Sequence, residues 1–282
     1  MKTIFILLQV VITVCAVSLC IAQNTVELLP GNAVNISGKQ RMLSQRMGKD
    51  FVFISLNLQA DQAQRELAVS TIIFEENLEA LKAFARTDEM KELIRLEEIA
   101  WKEYKKLLQT TPSKENALAV VKYSGLVLKA CDDVVQDIVK YVSILPKMAE
   151  EEGTTNLEVA TNTNISGRMR MLSQRLSMLY AAFYGDLPEP TLIPNLKGVS
   201  ENLQKGLSTL ITSPINTTEI DDAMAGVIQE WNVVEERCTQ DNCLMYEAKS
   251  MKPDEMFTVA NRFLNKVDKV VGMYAKLIDR TN

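Results

Sequence analysis

Asn35-Ile36-Ser37-Gly38-Lys39-Gln40-Arg41-Met42-Leu43-Ser44-Gln45-Arg46 returns 129 residues later as Asn164-Ile165-Ser166-Gly167-Arg168-Met169-Arg170-Met171-Leu172-Ser173-Gln174-Arg175, with ten of the twelve positions identical. Such a match at one fixed shift marks an internal repeat, each copy being a structural unit that stacks on its neighbour. Downstream the likeness is weaker, but Trp101 still falls opposite Trp231.

The end of each copy shows what the unit is. Val121, Ser124, Leu128, Cys131, Val135, Ile138, Val142 and Leu145 follow a 3,4 spacing, and so do Phe257, Ala260, Leu264, Val267, Val271, Tyr274 and Ile278. That period is the seam of a packed helix. Cys131 takes the seam place that Val267 fills in the second copy, which makes it a buried core thiol. Between motif and seam each copy has room for two more helices. In the first they are expected over 61–85 and 88–110, with Thr111-Pro112-Ser113 as the stop and Ser113 as the N-cap of the last helix. In the second, Pro188, Pro190 and Pro194 punctuate a loop, a helix follows near 195–212, Ser213-Pro214 ends it, and a third starts after Thr217-Thr218. Lys252-Pro253-Asp254-Glu255 has the proline and acids of a first helical turn.

The expected fold is therefore all-α: two tandem four-helix up-down-up-down bundles, over residues 27–145 and 157–280, since short connections favour antiparallel neighbours. Pro146 and Gly153 mark the junction. Across it the last helix of the first copy and the motif helix of the second are placed to pack.

Composition narrows function. The 282 residues are 47% hydrophobic, with 36 acidic and 31 basic side chains, a net charge of -5 and no histidine. A negative, unpatterned charge gives no reason to bind nucleic acid. Without histidine the commonest general base and transition-metal ligand are missing, and no cluster of other groups has catalytic spacing. The chain is read as a non-enzyme, with no cofactor and no metal. Met1-Lys2 and the apolar run Ile4–Ala22 read as a secretion signal over 1–22, or, if uncleaved, as an anchor. The location is thus periplasmic or secreted. In such an oxidising compartment Cys238 and Cys243, closing six residues between helices, form a local disulfide. Asn35, Asn164 and Asn216 begin glycosylation-type triplets; only Asn216 is expected in a loop.

Laid out at 100° per residue, each motif has two faces. Ile36, Leu43 and Met47, and in the second copy Ile165, Leu172 and Leu176, form the inward one. Opposite, Ser37, Gly38, Ser44 and Gln45 surround Arg41, as Ser166, Gly167, Ser173 and Gln174 surround Arg170. A glycine inside a helix costs about 1 kcal/mol relative to alanine, so something approaches it closely: a packed helix, a ligand, or the matching helix of another copy. Arginine's planar fork suits a small oxyanion, and two arginines brought together repel unless an anion lies between them.

At these residues the chain resembles the motif that opens the sensor domain of nitrate/nitrite sensor kinases and the N-terminal domain of type IV pilus chemotaxis transducers, the NarX/PilJ-type family. The resemblance implies a four-helix bundle and, from the nitrate sensors, an anion held between two first helices by the motif's first arginine, which is Arg41 in one copy and Arg170 in the other. Two departures stand out: Ser37 and Ser166 occupy places where the nitrate sensors usually have alanine, and no second span or output module is recognised. The expectation is a ligand-binding, sensor-like protein for a small oxyanion of the nitrate/nitrite type, using Arg41, Arg170, Ser37, Gly38, Gln45, Ser166, Gly167 and Gln174. Its expected partners are the anion, a membrane receptor or pilus/chemotaxis component, and a second copy in a homodimer. The alternative is a structural or adhesive bundle that keeps the motif for helix pairing.

Overall fold

The computed structural model describes residues 28–145, 156–236 and 251–281. Within them are eight α-helices and no strands. They are α1 (Pro30–Ser55), α2 (Ala60–Phe84), α3 (Asp88–Leu108), α4 (Lys114–Ser143), α5 (Asn156–Tyr184), α6 (Leu192–Ile211), α7 (Thr218–Glu235) and α8 (Pro253–Thr281). The segment 1–22, the junction around Pro146 and Gly153, and the pair Cys238 and Cys243 lie outside the described residues.

Helix limits follow local chemistry. Thr87, Ser113 and Thr217 cap α3, α4 and α7 by accepting hydrogen bonds from the backbone N–H of Met90, Asn116 and Ile220. Each cap satisfies one otherwise orphaned donor of the first turn. Pro253 opens α8 as its first residue, where a missing N–H costs nothing. Pro194, expected in a loop, is the third residue of α6. A first-turn proline loses no intrahelical bond, so it does not stop the helix.

The four helices of each copy run up-down-up-down. In the first, Gln40 on α1 reaches the Phe74 carbonyl on α2, Lys105 on α3 pairs with Glu75 on α2, and Arg41 on α1 pairs with Asp132 on α4. The second repeats this with Arg170 on α5 and Asp268 on α8. Both seams are interior, and Cys131 is a fully buried free thiol.

The copies pack directly on one another. α1 lies along α5, and α4 and α8 close the sides of that contact, α4 against α5 and α8 against α1. Gly38 meets Gly167, Gln45 accepts from Arg175, and Gly48 abuts Met178, so α1 and α5 run parallel over three turns. Every partner of α1 is therefore a helix, and the polar face opposite Leu43 and Met47 is packed as well. Ser37, Arg41, Ser44 and Gln45 are as buried as Leu43 and Met47, while Ile36 is only half-buried. No described helix is long and apolar enough to cross a membrane.

Candidate functional site

Where α1 crosses α5 the glycines make the approach. A Cβ on Gly38 would stand 3.9 Å from the Gly167 Cα, 3.4 Å from Arg170 Nη2 and 3.6 Å from Arg41 Nη2, and Gly167 has the same three neighbours with the copies exchanged. The two motif helices are thus related by a local two-fold axis, and both guanidinium groups lie beside it.

Each arginine is held from two sides. Arg41 Nη1 donates to Asp132 Oδ1 at 2.6 Å, and its Nη2 crosses to α5, donating to Asn164 Oδ1 at 2.8 Å and the Asn164 carbonyl at 3.3 Å. Arg170 Nη1 donates to Asp268 Oδ1 at 2.6 Å and Asn35 Oδ1 at 3.0 Å, and its Nη2 to the Asn35 carbonyl at 3.1 Å. Both side chains are fully buried, with exposures of 0% and 1%. Burial pulls the Arg41 guanidinium down to about 10, against the opposing pull of Asp132, and lowers Arg170 in the same way against Asp268. At about 10, Arg41 remains cationic at neutral pH. Each arginine also keeps one buried N–H, the Nε, with no hydrogen-bond partner.

Of the other expected site residues, Gly38 and Gly167 line the crossing, whereas the neutral donors serve the bundle. Ser37 and Ser166 donate to the carbonyls of Val34 and Asn162 on their own helices. Gln45 donates to the Ser124 carbonyl on α4, and Gln174 to the Ala260 carbonyl on α8. Gln45 Oε1 accepts from Arg175, while the buried Gln174 Oε1 has no partner. The asymmetry arises because Arg46, the counterpart of Arg175, turns to Glu66 on α2.

Four residues escaped the sequence reading. Asn35 and Asn164 open the repeated motif and begin glycosylation-type triplets, and their side chains bridge the copies. Asp132 and Asp268 each follow the matching seam residues Cys131 and Val267; an acid beside the same seam place in both copies was the available signal. The first copy also has buried charge with no counterpart among the described residues of the second. Lys49 Nζ lies 3.0 Å from Glu66, 3.2 Å from Asp50 and 2.9 Å from Asn261 Oδ1 on α8, tying α1 to α2 and to the other copy. By the 129-residue shift its counterpart is Met178. Among the described residues no group of three or more acidic or cysteine side chains converges as a metal site.

No curated protein and no solved structure matches the chain. Residues 30–123, running from the start of α1 into α4 and carrying Arg41, match the PilJ family, described as the type IV pili methyl-accepting chemotaxis transducer N-terminal domain.

Proposed function

We propose that this is a non-enzymatic, sensor-like helical protein of the periplasm or extracellular space. Its site for a small planar oxyanion of the nitrate/nitrite type is the paired Arg41 and Arg170. In this reading the units 27–145 and 157–280 supply within one chain the pairing of two first helices that single-domain relatives reach as dimers. The likeness of residues 30–123 to a chemotaxis transducer's N-terminal domain supports a sensory role, exercised through a membrane receptor or a pilus/chemotaxis partner.

The observation that carries the anion is the pair of unsatisfied, fully buried Nε–H groups on two guanidiniums flanking a glycine crossing. Buried donors are almost always paired, and an unpaired one costs about 1–3 kcal/mol. The glycines support the same conclusion. A Cβ at Gly38 would meet ordinary van der Waals neighbours at 3.4–3.9 Å, so helix packing alone does not require glycine there. Omitting the Cβ keeps space open beside both Nη2 atoms.

A second reading, structural pairing of the motif helices, rests on the bonds from Arg41 to Asn164 and from Arg170 to Asn35, which fasten the copies without any ligand. Calorimetric titration with nitrate, nitrite and other small oxyanions separates the two. The wild type is expected to bind, and Arg41→Ala or Arg170→Ala to weaken binding by about ten- to a hundredfold, the loss of one charge-assisted hydrogen bond. Lysine in either place is expected to restore little, since it keeps the charge without the fork. No heat with any oxyanion, or equal affinity in all variants, would leave the structural reading.

A further inference from the structure

Asp132 and Asp268 are the acidic groups that the arginines bond, and both reach solvent. The guanidiniums are buried, but the two carboxyl side chains are 35% and 49% exposed. Each aspartate therefore stands between its arginine and solvent, one on α4 and the other on α8. Within the four directly bonded groups the charges balance, two arginines against two aspartates, with the exposed Arg168 a further cation near Arg41. An anion added to these four would bring an uncompensated charge into a buried place, which is costly unless a resident negative charge leaves. A carboxylate and a planar oxyanion such as nitrate also present the same feature to a guanidinium, two oxygens on one trigonal atom. Each aspartate occupies one donor of its arginine, Nη1, through a single oxygen, Oδ1.

We propose that Asp132 and Asp268 are resident competitors for the oxyanion, and that a singly charged planar oxyanion enters by displacing one of these carboxylates from its arginine into solvent. This rests on the oxyanion reading of the arginine pair. No covalent bond changes; one negative charge replaces another, which is why the ligand class is a monoanion. The exchange also gives occupancy a mechanical consequence. Each ion pair is a tie from a motif helix to the last helix of its copy, so ligand entry frees α4 from α1 or α8 from α5 at that level, while the Asn35 and Asn164 bonds still hold α1 to α5. A ligand shifts a conformational balance only through such differences in contact between two states.

The test uses the full chain with Asp132→Asn, Asp268→Asn and both together, titrated calorimetrically with sodium nitrate and sodium nitrite after circular dichroism has checked the helical fold. Asparagine keeps the shape and one acceptor oxygen, so the arginine stays partnered while the competing charge is removed. Each single variant is expected to bind at least about tenfold more tightly than the wild type, equivalent to about 1.4 kcal/mol. Should the double variant lose its helical spectrum, the single variants decide. Binding by the aspartate variants with none measurable in the wild type also supports competition, with the resident carboxylates closing the wild-type site to the anions tried. Folded variants that bind no more tightly than a binding wild type overturn the competition and leave the oxyanion reading standing. Absence of binding in wild type and folded variants alike removes the oxyanion reading, and this inference with it.

Discussion

Among single residues, Glu97 is a carboxyl group placed wholly inside the protein. It lies on α3 with no solvent exposure, beside Cys131 and Gln40, and neither carboxyl oxygen has a well-formed hydrogen bond. Burial pushes its pKa up to about 7. In the unfolded chain the carboxyl titrates near 4.5, so below that pH it is neutral in both states and folding bears no charge penalty. As pH rises through the window from about 4.5 to about 7 the unfolded chain ionises first, and stability falls until the folded-state group ionises too. Glu97→Gln is therefore expected to stabilise the protein by on the order of 3 kcal/mol at pH 8 and hardly at all at pH 4.5. Chemical denaturation at the two pH values measures this; an equal effect at both would show that Glu97 does not titrate in this window. Asp50, also raised to about 7 by burial despite Lys49 beside it, should leave a residual pH dependence in the variant.

At the level of elements, the α1–α5 contact uses glycine in two ways that mutation can separate. At Gly48 the chain is closed: a Cβ there would stand 2.6 Å from the Tyr104 hydroxyl and 2.6 Å from Met178 Sδ. Methionine can turn aside, but Tyr104 is packed and donates to the Ser44 carbonyl, so Gly48→Ala is expected to lose about 1–3 kcal/mol. At Gly38 the chain is open. Gly38→Ala gains up to about 1 kcal/mol of helix propensity without a clash, yet fills the space beside both guanidiniums. Thermal melts and nitrate titrations of the two variants should therefore diverge. Gly48→Ala melts lower, whereas Gly38→Ala melts at or above the wild type and binds more weakly. A destabilised Gly38→Ala would mean that the glycine serves helix packing.

At the scale of the whole molecule, the described residues share one continuous core, because α1 and α5 each belong to a bundle and to the contact between bundles. Pulling the copies apart would expose Arg41, Arg170 and Lys49, whose partners include Asn164, Asn35 and Asn261 of the opposite copy. Buried charges that lose partners are strongly destabilising, so neither copy has reason to unfold alone. Scanning calorimetry is expected to give a single transition with equal calorimetric and van't Hoff enthalpies. Two resolved transitions would show that the copies are energetically separate.

Much of this architecture was legible in the chain. The 12-residue repeat, the two 3,4 seams, the cap at Ser113 and the helix start near Thr217-Thr218 determine the helices and their antiparallel order, because helix period and end chemistry are local properties. The motif arginines, and the need for something close to Gly38, were legible for the same reason: a glycine and a guanidinium have the same requirements wherever the helix lies. What approaches that glycine is not local. Gly167, Asn164 and Asp132 come to Arg41 from two other helices, at separations in sequence of about 90 to 130 residues, and only packing of the copies decides that α1 has no solvated face. The same packing fixes Lys49 against Asn261 and leaves Arg46 and Arg175 in different company despite motifs identical at ten of twelve positions. Sequence supplied the parts of the site and their two-fold repetition. The balance of charge around the arginines, on which any ligand must act, belongs to the tertiary structure, since burial and ion pairing exist only once distant helices meet.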